Sequence, residues 1–121
     1  MPAPQQRLGR LAEDAAAHWL TSRGWRVLER RWRSSFGEID LICLDRGGCL
    51  VGVEVKLRRT GRTGGPAEAI DGRRLTRLRT SLGSYAAERH VSVAGLRIDL
   101  VALVPAGSSW RLSRTPGIDQ W

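Results

Sequence analysis

Lysine is almost absent from this chain. Of its 20 Lys and Arg residues all but Lys56 are Arg. A composition so averse to lysine keeps one where a guanidinium will not serve, which points to a compact ammonium with a specific task. Cysteine is scarce too. With only Cys43 and Cys49 among 121 residues, a disulfide-stapled secreted scaffold is excluded, and the pair reads as buried free thiols in a reducing compartment. No apolar run approaches the roughly 20 residues of a membrane span, and no hydrophobic signal segment follows Met1. The expectation is a cytoplasmic protein with no membrane partner. The two histidines, His18 and His90, have no companion at metal-ligand spacing, which sets aside a histidine-based metal centre. Internal repeats and low-complexity tracts are missing as well, and the length suits one domain over 1–121. Acidic residues are outnumbered 12 to 20, so the formal charge is +8 and the pI near 11.3. That balance implies a polyanionic partner, with an idle basic surface as the plain alternative.

What is present is concentrated between Gly37 and Arg59, GEIDLICLDRGGCLVGVEVKLRR. Residues 38–45 and 49–57 are rich in Ile, Leu and Val and read as strands around a glycine turn. A three-residue Arg46-Gly47-Gly48 loop sets Asp45 opposite Cys49, and therefore Ile42 opposite Gly52, Asp40 opposite Glu54 and Glu38 opposite Lys56. Side chains alternate between faces, so Glu38, Asp40, Glu54 and Lys56 project from one face. The other face carries Ile39, Leu41, Cys43, Val51, Val53, Val55 and Leu57, an apolar surface for a core. Gly52 leaves room beside the acids where a ligand or backbone could approach.

Two carboxylates in direct cross-strand opposition repel unless something lies between them. A divalent cation does that, and hard oxygen donors suit Mg²⁺ or Mn²⁺. A lysine beside the ion can hold a phosphate oxygen or orient a water, the layout for metal-assisted phosphodiester hydrolysis. The same four residues also make an ordinary salt-bridged strand end, because Asp followed by Glu-x-Lys is a short pattern.

GEIDLI followed by VGVEVKLR resembles the YraN family of small bacterial proteins, placed among endonucleases of the PD-(D/E)XK restriction-endonuclease-like superfamily and akin to archaeal Holliday junction resolvases. The resemblance spans about Arg7 to Val104. It implies an α/β fold with an αβββαβ core, a mixed four- to five-stranded sheet flanked by helices. It also implies Asp40 and Glu54 as metal ligands, the Val55 carbonyl completing the shell, and Lys56 as a catalytic residue. Ile39 stands where the superfamily motif usually has Pro, which is not a ligand.

Upstream, Met1–Gln6 reads as a lead-in. From Arg7 the residues Leu8, Leu11, Ala12, Ala15, Ala16, Trp19 and Leu20 follow helical spacing, and Gly24 ends the run. Glu13 lies about 20° from Leu20 at 100° per residue, on the border of the buried stripe. The family carries a Gly-Glu pair here, and in the related resolvases the helix Glu helps bind metal. Ala12-Glu13 occupies that place, so Glu13 is a candidate for the site, with a salt bridge to an arginine as the alternative.

Trp25–Trp32 reads as the first strand. Arg30, Arg31 and Arg33 cluster at its end, suited either to gripping nucleic-acid phosphate or to blunting an edge. The family's Asn-x-Arg is Arg31-Trp32-Arg33 here. After the hairpin, Arg58, Arg59 and Arg62 sit in a Gly-rich loop suited to a nucleic-acid backbone. A helix follows over Asp71–Arg89 with Leu75, Leu78, Leu82, Tyr85 and Ala86 inward, and with Arg74 on a flank that could face substrate. Leu96–Val104 is a further strand, whose Asp99 needs an arginine partner and reads as structural. Trp110–Leu112 reads as a short edge strand, and residues 113–121 resist assignment. The composite expectation is a Mg²⁺- or Mn²⁺-dependent nuclease on DNA, branched or flapped substrates included, with RNA cleavage an alternative that the sequence does not separate. A homodimer is implied if the resolvase comparison holds. The rival is a nucleic-acid-binding accessory module without turnover.

Overall fold

The computed structural model describes residues 4–58 and 70–120. In chain order its elements are α1 (Pro4–Ser22), β1 (Arg26–Ser34), β2 (Gly37–Leu44), β3 (Cys49–Leu57), α2 (Gly72–Arg89), β4 (Gly95–Ala106) and β5 (Ser109–Thr115). The strands form one five-stranded sheet in the order β1-β2-β3-β4-β5. Every neighbouring pair is antiparallel except β3 and β4, which run parallel. A parallel pair needs a crossover, and α2 lies on it. The expected mixed α/β sheet, consistent with a restriction-endonuclease-like αβββαβ core, is what forms. Among the described residues no helix is long and apolar enough to cross a membrane.

Period-two alternation sorts the hairpin side chains into two cores, one on each face of the sheet. Leu41, Cys43, Val51 and Val53 pack with Ala12, Ala16 and Leu20 of α1 and with Trp25. Ile42 and Leu50 pack with Leu75, Leu78, Leu82 and Tyr85 of α2 and with Ile98 and Leu100 of β4. Each large aliphatic side chain buried this way contributes on the order of 1.5–3 kcal/mol. Asp71 caps α2 by accepting the Arg74 N–H at 2.8 Å, and His90 ends it in a left-handed conformation with φ 53°.

The hairpin register is the expected one, with Ile42 opposite Gly52 and Cys43 opposite Val51. Other expectations change. The space at Gly52 serves the core: a Cβ there would meet Ile98 Cδ1 at 2.9 Å, so no ligand approaches through it. Ile39 packs with Ile42 in the α2 core and not with Leu41. The reason lies on β1, where Arg31, directly across from Asp40, has a left-handed backbone (φ 53°). This residue breaks the alternation of both strands at one rung. Trp32 meets Tyr85 of α2 edge-on at 5.3 Å, while Arg30 bonds Asp14 of α1.

The first helix starts at Pro4, within the expected lead-in, because the fixed φ of proline suits a first turn. Leu8 and Leu11, expected in the buried stripe, are exposed; the α1 residues buried in the core are Ala12, Ala16 and Leu20, further along the helix. The first strand starts one residue after Trp25, whose ring is spent on the α1 core. The edge strand β5 is longer than Trp110–Leu112, and the tail docks behind it. Ile118 is buried and donates its N–H to Ile98 O at 2.9 Å; Asp119 accepts the Ile98 N–H at 2.8 Å. Both cysteines are free, Cys43 buried and Cys49 half-buried.

Candidate functional site

The β2–β3 ladder stops at the Leu41/Val53 rung, although both strands continue. Beyond it β2 stays with β1, pairing Ile39 with Trp32 and Glu38 with Arg33, while β3 stays with β4 from Glu54 to Leu57. The sheet therefore forks, and Asp40 sits at the fork. Its Oδ2 accepts the Val55 N–H at 2.8 Å. A carboxylate thus takes a backbone donor on the side of β3 that β2 has left.

Glu54, the next acid across the fork, is buried, 4% exposed. Its Oε2 accepts a hydrogen bond from Arg74 Nη2 at 2.6 Å, and its Oε1 is buried with no hydrogen-bond partner among the described residues. Burial, then the neighbouring Glu54 charge, push Asp40 up to about 7; Glu13 adds to this, while the Val55 N–H and Arg74 pull the other way. Glu54 is pushed up by burial, with Arg74 and Lys56 opposing. Two desolvated carboxylates that resist simultaneous ionisation want a cation between them. Among the described residues no cluster of three or more His, Cys, Asp or Glu makes a ready cage. The donor set on hand is this pair together with the Val55 carbonyl, all hard oxygen and matched in type to Mg²⁺ or Mn²⁺.

The structure gathers Asp40, Glu54, Val55 and exposed Lys56 at the fork. Glu13, from α1, is near enough for its charge to raise Asp40, and its Oε1 accepts from Arg31 Nε at 2.6 Å. The salt bridge expected as the alternative for Glu13 is formed. Glu38 does not face Lys56; it lies opposite Arg33 on β1 and bonds it at 2.7 Å. All three arginines of the β1 cluster hold carboxylates, Arg30 on Asp14 and Arg31 on Glu13 besides Arg33 on Glu38. Arg74 holds Glu54. Arg58 is half-buried, its backbone N–H bonded to Leu103 O at 2.8 Å; Arg59 and Arg62 lie outside the described residues. Sequence reasoning missed Arg31 as the residue facing Asp40, since an arginine gives no sign of a left-handed backbone. It missed Phe36 as well, exposed at the rim, although a lone phenylalanine beside GEID was a signal available to it.

A mixed five-stranded sheet with a helix on each face is an α/β architecture consistent with a restriction-endonuclease-like core. Residues 12–103 match the model of the Uncharacterised protein family UPF0102. A UPF0102 protein of Renibacterium salmoninarum is 44% identical over 112 residues, covering 92% of this chain and 94% of its own. One from Corynebacterium efficiens is 38% identical over 121 residues, covering 98% and 97%. The chain belongs to the UPF0102 family, the YraN-like group that GEID and VEVK resemble.

Proposed function

We propose that this protein is a metal-dependent nuclease that hydrolyses phosphodiester bonds in DNA, with branched or flapped DNA among its substrates. The observation that carries the reading is the buried Oε1 of Glu54, which has no hydrogen-bond partner among the described residues, at the fork where Asp40 also sits. Buried polar atoms are ordinarily satisfied, so an orphaned carboxylate oxygen beside a second raised carboxylate marks a place for a ligand. Asp40 and Glu54 would hold Mg²⁺ or Mn²⁺ together with the Val55 carbonyl, and Glu13 would join them directly or through water. Such an ion, when bound, activates water and offsets the charge that develops on phosphate. Lys56 supplies a compact ammonium at the open side of the same strand end, holding a phosphate oxygen or the attacking water. Arg74 keeps Glu54 partly neutralised until a phosphate competes for the guanidinium. The net charge of +8 supports a nucleic-acid partner. The setting in this reading is cytoplasmic, without a membrane partner, and a homodimer if two strands are cut.

One observation favours a second reading. Arg74 already fills one oxygen of Glu54 at 2.6 Å and stands where a cation would be useful. A nucleic-acid-binding accessory module without turnover would keep that ion pair permanently. The deciding experiment incubates the protein with labelled linear, nicked, flapped and four-way DNA, and with RNA, with and without Mg²⁺ or Mn²⁺. Metal-dependent products that vanish in Asp40→Ala support the nuclease. Tight binding with every substrate intact at millimolar Mn²⁺ would replace it with the accessory module.

A further inference from the structure

The turn between β1 and β2 carries the only phenylalanine of the chain. Phe36 is 43% exposed, yet its turn is pinned. The Phe36 N–H donates to Ser34 Oγ at 3.0 Å, and that hydroxyl shares a 2.7 Å hydrogen bond with Ser81 Oγ of α2, itself buried. Gly37, at φ +134°, then returns the chain to β2. The ring is held at the surface on a braced turn, so little ordering remains to be done when something stacks on it. Between this turn and α2 opens a cavity of about 190 Å³ lined by Phe36, Gly37, Glu38, Arg74, Arg77 and Leu78. That is smaller than the roughly 300–1,000 Å³ of sites for drug-sized ligands and suits a single ring system. Arg74 lines the cavity and also bonds Glu54, so the cavity adjoins the fork.

An aromatic face with two guanidinium groups beside it is what an unpaired nucleotide needs: a surface for the base and cations for its phosphates. We propose that this cavity takes one unpaired nucleobase stacked on Phe36, with Arg77 and Arg74 on the flanking phosphates. The substrate class becomes nucleic acid with an unstacked nucleotide beside the phosphate held at the fork. Its placement next to a scissile phosphate rests on the nuclease reading; the binding itself does not.

The test is therefore made by fluorescence anisotropy in EDTA, where no cleavage occurs. The probes are a labelled 15-nucleotide oligo-dT, an abasic strand of the same length, a blunt duplex and an oligo-U. Phe36→Ala should weaken oligo-dT binding roughly tenfold, the order of one base–aromatic stack. It should leave the abasic strand and the duplex within about twofold, whereas Phe36→Trp should restore oligo-dT binding. A matching loss on oligo-U shows that the base is read and the sugar is not; a loss confined to oligo-dT adds a preference for DNA. Equal oligo-dT affinity in Phe36→Ala and wild type, equal losses on all strands, or no oligo-dT binding by the wild type each overturn the proposal. Its failure is distinct from failure of the nuclease reading, which shows as absent metal-dependent cleavage while the Phe36-dependent preference persists.

Discussion

Besides the fork, a second pair of acids, Asp45 at the hairpin turn and Asp99 across from Val53 on β4, shares one arginine, and the two settings differ in one respect. Asp99, fully buried in β4, receives Arg97 Nε at 2.8 Å, Arg114 Nη1 at 2.7 Å and the Gly117 N–H at 2.9 Å. Asp45, at the hairpin turn, receives Arg97 Nη1 at 2.8 Å and the N–H groups of Gly47 and Cys49, each at 2.9 Å. Arg97 and Arg114 in turn lie over the Trp25 ring, at 5.6 and 5.1 Å. At the fork, by contrast, Glu54 keeps a buried oxygen without a donor among the described residues, and burial and the Glu54 charge push Asp40 up. The same fold, given the same arginine-rich composition, saturates one set of acids and leaves the other short. That deficit among the described residues is what supports the proposed ligand between the two acids.

The largest expected effect breaks the unsaturated end. Asp40→Ala or Glu54→Ala should reduce metal-dependent cleavage to background, with the fold and most DNA binding preserved. Calorimetry with Mn²⁺ in the presence of DNA should lose its binding heat in the same variants. If the wild type shows no such heat at millimolar metal, the fork is not a metal site. The saturated end should respond in stability. Asp99→Asn strips a charge from two arginines and should cost about 3–5 kcal/mol, lowering Tm by roughly 10 °C or more. Asp40→Asn, which still accepts the Val55 N–H, should leave Tm unchanged or raise it. Equal losses of Tm in both variants would erase the distinction between the two ends.

The part of this contrast legible in the sequence was the part governed by local rules. The glycine turn and period-two alternation fixed the hairpin register and brought Asp40, Glu54 and Lys56 to one end of it. Helical spacing put Glu13 on the border of α1, and the plain reading of Asp99 as an acid in need of Arg97 holds at 2.8 Å. What stayed hidden depends on distant partners. Any of the many arginines could have served Glu54, and only tertiary packing picks Arg74. The left-handed Arg31 and the shift of Ile39 to the α2 side follow from a backbone conformation that glycine or asparagine would have advertised and arginine does not. The tail was opaque because its anchors are single residues: Ile118 in a gap of the core, and Asp119 on Arg79 at 2.6 Å.

A subtler change sharpens the chemistry of the open end. Lys56→Arg preserves charge but replaces a compact ammonium with a planar fork that cannot sit as closely against a water or phosphate oxygen. The expected loss is on the order of 10² in kcat/KM, about that of one preorganised electrostatic donor, with DNA affinity within a few-fold. Cleavage at the wild-type rate would reduce Lys56 to a charge and remove it from the mechanism.

The smallest effect is the pH dependence of stability, where the two ends should have opposite signs. Burial pushes Asp45 up, but its hydrogen bond from Arg97, the Cys49 N–H, the Arg97 charge and the Gly47 N–H together hold it below the ordinary carboxylate range. A lowered acid stabilises the fold when ionised, so its contribution is full above the unfolded-state value near pH 4 and fades as the pH falls below that. Asp40 runs the other way. Burial and Glu54 raise it to about 7, so ionising it costs stability, and the cost grows as the pH climbs from about 4 to about 7. In metal-free protein the stability gained by Asp40→Asn should therefore be near zero at pH 4 and rise to roughly 1–2 kcal/mol by pH 7.5, discounted for the solvent at the rim. Asp45→Asn should instead cost stability at neutral pH and lose that cost in acid. Denaturant melts of both variants across this range, in EDTA, read the two slopes directly. Slopes of the same sign would mean that the fork is as well satisfied as the turn, and the case for a ligand between Asp40 and Glu54 would fall with it.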